Sequence, residues 1–173
     1  MKNILAISGS LRTGSSNHAI LNYLKQKVSP EINYAIYNLL EHIPPFDPGK
    51  DNNEVAGAIN DTRNLISDAD GIIICTPEYA FGVPGALKNM LDWLVSSGSI
   101  TNKPVMLITA SLNGDYAHAS LLLTLGALSA NVIEDACFII PFIRSKVSSN
   151  GIITDGDSEA KINKAFSIFL KEI

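Results

Sequence analysis

Apolar residues recur along the chain in two patterns. Three short continuous runs, Ile4-Leu5-Ala6-Ile7, Gly71-Ile72-Ile73-Ile74-Cys75 and Val105-Met106-Leu107-Ile108-Thr109-Ala110, read as parallel strands covered on both faces. Residues 32–39 predict a further strand with partial alternation, and residues 137–143, Pro141 excepted, predict a fifth. The stretches between them carry helical spacing. Ile20, Tyr23, Leu24 and Val28 share one face of a first helix. A second is expected from about Glu54 to Ser67, with Val55, Ile59, Leu65 and Ile66 inward. A third covers residues 84–95, where Pro84 suits the first turn. A fourth covers residues 117–129, and an amphipathic last one residues 159–170. Residues 41–48 hold too much proline for a helix or a central strand, and residues 145–156 are turn-rich.

Strands alternating with helices, the strands short and apolar, define an α/β chain. The expected fold is flavodoxin-like: a doubly wound five-stranded parallel sheet of order 2-1-3-4-5, helices on both faces, in one domain spanning residues 1–173. Its switch point lies just past the C-terminal ends of the first and third strands. The loops meeting there, residues 9–17 and 76–83, are also the two most distinctive loops in the sequence.

The first of them, Gly9-Ser10-Leu11-Arg12-Thr13-Gly14-Ser15-Ser16-Asn17, joins a strand to a helix. That layout aims backbone N–H groups and a helix N-terminus at an anion. A plain helix cap needs one hydroxyl or amide. This loop offers Ser10, Ser15, Ser16 and Asn17, with Arg12 as its fixed positive charge, a set suited to a phosphate monoester. Neither Gly-Lys-Ser/Thr nor Gly-x-Gly-x-x-Gly is present, which points away from nucleoside triphosphates and a standard NAD fold.

The second loop, Thr76-Pro77-Glu78-Tyr79-Ala80-Phe81-Gly82-Val83-Pro84-Gly85, is apolar beside that phosphate site. A flat ring ligand is expected there, its edge met by backbone groups. Tyr79 and Phe81 either border the ring or pack the loop or a subunit contact. Glu78 has no His or Lys partner in view, so a solvated or helix-capping carboxylate is preferred to a general base. The loop from Ser111 to Tyr116, with Gly114, completes the rim on the other side. His18, His42 and His118 are scattered, with no spacing for a metal site or a triad.

Composition narrows the class further. At 46% hydrophobic and 17% charged residues, the chain is expected to be globular. A net charge of −4 without any basic run argues against nucleic acid as a partner. No apolar run approaches the roughly 20 residues of a membrane span, so no membrane contact is expected. The N-terminus enters a strand at once, which predicts no signal peptide. Cys75 and Cys137 sit in apolar runs and read as buried free thiols, which favours the cytoplasm.

The loop at residues 9–17 resembles the Gly-Ser-x-Arg-x-x-Ser-x-Asn phosphate loop of the NADPH-dependent FMN reductase family. The stretches Thr76-Pro77-Glu78-Tyr79, Pro84-Gly85-Ala86-Leu87-Lys88-Asn89 and Asp92-Trp93 resemble its second signature. The resemblance extends over nearly the whole chain, including residues 43–46 and 111–132. It implies FMN as cofactor, NAD(P)H as co-substrate, a small-molecule electron acceptor (quinone, azo compound or free flavin), and a homodimer or homotetramer. It implies that Ser10, Arg12, Ser15 and Asn17 hold the FMN phosphate, and the loop's own donor pattern adds Ser16 to them. Pro77, Glu78 and Tyr79, with Ala80, Phe81 and Gly82, would run along the isoalloxazine, and Ser111 and Gly114 would lie at its other side. No catalytic side chain and no metal are implied, because the reaction runs at the flavin N5. Ala80 and Gly82 stand where many members have Asn and Ser. Independently of the resemblance, Trp93 falls among Leu87, Met90, Leu91 and Leu94, where core or interface packing is expected, and the apolar face around it with the Pro44-Pro45-Phe46 loop predicts a subunit contact. An electron carrier without a substrate pocket is the alternative; such carriers are usually more acidic and lack an apolar rim.

Overall fold

The structure is a computed structural model that describes residues 1–52, 55 and 57–173. Four parallel strands form the continuous part of the sheet: β1 (Lys2–Ser8), β2 (Ile32–Tyr37), β3 (Gly71–Thr76) and β4 (Pro104–Ala110). The fifth position of the expected 2-1-3-4-5 order is shared. β5 (Asn131–Val132) pairs with the start of β4, and β6 (Phe138–Ile140) pairs with its end. A 3-10 turn at Glu134–Ala136 separates the two, where consecutive acidic residues leave the sheet. The predicted strand over residues 137–143 therefore stops at Ile140. Pro141 lacks a ladder N–H, and Phe142 takes a left-handed conformation at φ 54°.

Side chains alternate between two cores along the buried strands. Leu5, Ile7, Ile72, Ile74, Val105 and Leu107 face one side; Ile4, Ala6, Ile73, Cys75, Met106 and Ile108 face the other. Helices α2 (Gly57–Asp68), α3 (Gly85–Asp92) and α4 (Asp115–Ala127) cover the first side through Ile59, Ile66, Leu87, Met90, Leu121 and Leu125. Helices α1 (Ser16–Lys25) and α5 (Gly156–Glu172) cover the second through Ile20, Leu24, Ile162, Phe166 and Phe169. Sequence patterning located all five, with ends displaced by a few residues. Glu54, the expected start of the second helix, lies outside the described residues.

Strand register sets where the loops leave the sheet. Ser8 pairs with Cys75, Thr76 with Thr109, and Ala110 with Ile140. Strands β1, β3, β4 and β6 thus end nearly level, and their loops emerge side by side along one edge. Of the core and interface roles expected for it, Trp93 takes the core one: its Nε1 donates to the Pro44 carbonyl at 2.8 Å, and Phe46 meets its ring edge-on at 5.0 Å.

Candidate functional site

Close backbone approach opens the first loop. A Cβ at Gly9 would land on the Thr76 side chain, 2.6 Å from its Cβ, so only glycine lets the chain leave β1 here while Gly9 N–H donates to the Cys75 carbonyl at 2.9 Å. Short local bonds then set the loop. Ser10 N–H donates to Ser8 Oγ at 3.2 Å, and Arg12 N–H to Ser10 Oγ at 3.3 Å. Ser15 caps α1, its Oγ accepting from the His18 N–H at 3.2 Å. Among the described residues, that leaves the N–H groups of Ser16 and Asn17, at the start of the helix, without an internal acceptor. Among the described residues Arg12 is exposed and makes no ion pair.

Asn17 has a second duty. Its buried amide donates to the Ala110 carbonyl at 3.4 Å and accepts from Cys75 Sγ at 3.3 Å. The side chain therefore braces the ends of β3 and β4. Burial pushes the Cys75 thiol far above its ordinary range, so it stays protonated and donates.

The second loop is tied to the third. Glu78 N–H donates to Ser111 Oγ at 3.0 Å, and Glu78 Oε2 accepts from the Ala117 N–H at 2.9 Å. The carboxylate therefore caps α4, the role expected in preference to a general base. Beyond it, Tyr79 and Gly82 exchange N–H···O bonds of 3.0 Å around Ala80 and Phe81, at φ 49° and 59°. Two consecutive left-handed residues form a turn that favours Gly or Asn, and here neither is present. Phe81 is 70% exposed and meets Tyr116 edge-on at 5.3 Å. At the start of α4, Gly114 is left-handed at φ 115°, with a would-be Cβ 3.0 Å from Thr109 Cγ2. His118, one turn on, shares a 2.9 Å hydrogen bond with Thr109 Oγ1, and burial holds its pKa below the ordinary value.

These loops enclose a cavity of about 510 Å³, a size in the range of cofactor pockets. Ser10, Arg12, Ser15, Ser16, Asn17, Pro77, Glu78, Tyr79 and Ser111 all line it. Ala80, Phe81, Gly82 and Gly114 do not: the first three form the outward turn, and Gly114 sits behind the third loop. The wall also includes Leu112 and residues 142–145, the last of which sequence reasoning left unassigned. The signal was available, since these residues follow the last strand at the same edge as the other loops. Phe142 N–H donates to the Leu112 carbonyl and Ile143 N–H to the Ser111 carbonyl, each at 3.1 Å, which fixes this wall. A larger cavity of about 790 Å³ lies on the far side of Arg12, between α1 and residues 149–153. None of its lining comes from the loops after β3 and β4, so it is not the place where the strand-end loops converge.

Comparison with known proteins agrees with this geometry. The sequence model of the family described as NADPH-dependent FMN reductase matches residues 2–144. The chain is 28% identical to the NADH:(hydroxy)cinnamate reductase subunit of Vibrio ruber, over 97% of this chain and 85% of that protein. It is 30% identical to a quinone reductase of Escherichia coli K12, over 83% of this chain and 80% of that protein. In fold it is similar to the flavoenzyme NAD(P)H:(acceptor) oxidoreductase FerB of Paracoccus denitrificans. That likeness has a TM-score of 0.74 at 18% identity and covers 98% of this chain and 96% of the other.

Proposed function

The chain belongs to the NADPH-dependent FMN reductase family, and from that premise we propose that it passes hydride equivalents from NAD(P)H to a quinone-type acceptor in an alternating two-step cycle. Membership makes it an oxidoreductase with FMN as cofactor and NAD(P)H as co-substrate. Bound FMN supplies the two-electron chemistry, and the protein supplies position and electrostatics.

The observation that carries the reading is the convergence of the first three loops on one cavity. The donor set fits a phosphate monoester: a helix N-terminus, buried serine hydroxyls and a guanidinium that, among the described residues, makes no ion pair. We assign the phosphate to Ser10, Arg12, Ser15, Ser16 and Asn17, the last chiefly through its backbone. The flat ring is assigned to Pro77, Glu78 and Tyr79, with Ser111 opposite. Ala80, Phe81 and Gly82 shape the lip, and Gly114 sets the third loop. No side chain acts as nucleophile or base in this scheme, in keeping with a Glu78 carboxylate committed to α4. The nucleotide leaves before the acceptor binds because both use the mouth bordered by Tyr79, Leu112 and Phe142.

The quinone assignment is supported by the name of the Escherichia coli relative. Anaerobic NADH or NADPH should bleach the visible flavin band of the FMN-loaded protein, and a quinone should restore it. Double-reciprocal plots at several fixed quinone concentrations should be parallel. A flavin that stays oxidised under both nucleotides overturns the reductase reading, and intersecting lines overturn the alternating cycle.

A homodimer belongs to the same reading, on different grounds from those first expected. Helix α4 is rich in apolar residues with no single apolar face, and Leu123 is 77% exposed on it, as is Tyr116 at 63%, which meets Phe81 edge-on. Such a helix is normally buried on all sides. Light scattering should give twice the 18.6 kDa chain mass; the single-chain mass contradicts it. Among the described residues no helix is long and apolar enough to cross a membrane. Both cysteines are free thiols, which supports assignment to a reducing cytoplasm.

A further inference from the structure

Arg144 lines the cavity with the last-strand turn, away from the phosphate loop, and the assignment proposed above gives it no role. Its backbone is firmly held. Ile143 beside it is buried, and Ile143 N–H donates to the Ser111 carbonyl at 3.1 Å. The Lys146 N–H closes the turn on the Ile143 carbonyl at 3.0 Å. The side chain is exposed and, among the described residues, has no hydrogen bond and no ion pair. Neighbouring cations are engaged: Lys146 pairs with Asp155 at 3.7 Å, and Lys161 donates to the Ile139 carbonyl at 3.3 Å. The carboxylate lining the cavity, Glu78, is committed to the Ala117 N–H. A protein of net charge −4 therefore keeps two uncompensated guanidiniums, Arg12 and Arg144, in one cavity.

They serve different ends of it. Strands β1, β3, β4 and β6 lie in that order, so the two loop anchors stand about 14 Å apart, three strand spacings of about 4.8 Å. The phosphate has its donors at the β1 end. At the other end Arg144 rises beside Leu112 and Phe142, which are 67% and 58% exposed, with Tyr79 across the mouth. An apolar lip with one unpaired guanidinium recognises a flat ring that carries an anionic group.

We propose that Arg144 determines acceptor specificity and selects aromatic acceptors bearing a carboxylate or sulfonate. The inference rests on the reductase reading of the same cavity. In the reaction NAD(P)H gives up a hydride, two electrons and a proton, and solvent gives a second proton. The quinone becomes the quinol, NAD(P)⁺ is released, and the anionic substituent is unchanged.

The test uses FMN-loaded protein with 1,4-naphthoquinone and its 2-sulfonate as acceptors, and the redox-inert naphthalene-2-sulfonate as a binding probe in calorimetry. Arg144→Gln should lower kcat/KM for the sulfonated quinone about ten- to a hundred-fold, the effect of one charge-assisted hydrogen bond. It should change the neutral quinone by less than about threefold, the scale of a lost surface contact. The dissociation constant of naphthalene-2-sulfonate should rise by the same factor as the sulfonated quinone loses, and Arg144→Lys should recover part of both. Equal losses for the two quinones with unchanged probe binding overturn the proposal. A fall in FMN affinity overturns it by making Arg144 a cofactor ligand. A raised KM for NADPH but not NADH overturns it by assigning the residue to the nucleotide 2′-phosphate. If the wild-type flavin is not reduced by either nucleotide, the reductase reading fails, while probe binding still decides whether Arg144 holds an aromatic anion.

Discussion

At the β1 end of the cavity, main-chain N–H groups and short hydroxyls surround one exposed cation, Arg12; at the β6 end the polar side chains are Arg144 and Ser145, on a three-residue turn, Ile143–Ser145. The first set is fixed by register and by α1. Gly9 sits against Thr76, Ser15 caps the helix, and Asn17 braces two strands. The second set is fixed only at the backbone, and Phe142 and Arg144 extend freely from it. Main-chain donors at a helix start recognise any phosphate and lose little rotamer entropy on binding. Exposed long side chains lose more of that entropy, and in return discriminate between ligands. One cavity thus combines a generic anchor with a selective mouth.

The contrast breaks most severely at its rigid end. Gly9→Ala would drive a methyl group into Thr76, and the β1–β3 register leaves neither partner room to retreat. Global stability should fall by about 3 kcal/mol in urea unfolding, the upper range for overpacking a core. A variant that unfolds like the wild type would show that the anchor is not rigid.

The turn at Tyr79–Gly82 tests the opposite property. Ala80 occupies a left-handed position at a cost that glycine would not carry. Ala80→Gly should therefore gain about 0.5–1 kcal/mol, offset in part by unfolded-state entropy. Calorimetry should show Tm raised by about 1–4 °C, given the length of the chain. A lowered Tm would mean that contacts of the Ala80 methyl outweigh the strain.

The smallest effect comes from His118, behind the third loop. Burial lowers its folded pKa; Asp115 opposes the shift, and Lys161 adds to it. The unfolded chain therefore binds the proton first as pH falls, near its ordinary value of about 6.5. The stabilising contribution is complete above that value and is lost as pH drops through the folded pKa. Melting curves between about pH 7.5 and 5 should show a modest fall that His118→Gln flattens. A Tm that rises on acidification would contradict the burial argument.

The two ends differed equally in how far the sequence disclosed them. Continuous apolar runs located β1, β3 and β4, and helical spacing located α1, α2 and α5, because both are local patterns. The β1 loop was legible because its donors are adjacent in the chain. The capping role of Glu78 was visible as an alternative, since a carboxylate without a cationic partner commonly meets a helix start. Asn17 was legible as a donor, but its bonds to Ala110 and Cys75 depend on strand pairing 93 and 58 residues away. The β6 wall escaped because its strand is three residues long and interrupted, and Pro141 disguised where it ended. Trp93 was an apolar face without a visible cover, and its cover, Phe46 and the Pro44 carbonyl, came from a proline-rich loop that had no predicted structure.

The central claim is that the β1 loop holds the FMN phosphate, with Arg12 as its cation. The most direct measurement is the affinity of wild type and Arg12→Ala for FMN and for riboflavin, which lacks the phosphate, by quenching of flavin fluorescence. Arg12→Ala should weaken FMN about ten- to a hundred-fold and leave riboflavin unchanged, since one charge-assisted hydrogen bond contributes about 1.5–3 kcal/mol. Wild-type protein should bind riboflavin far more weakly than FMN. Equal affinity of the wild type for the two flavins, or an equal loss of both in the variant, would contradict the assignment.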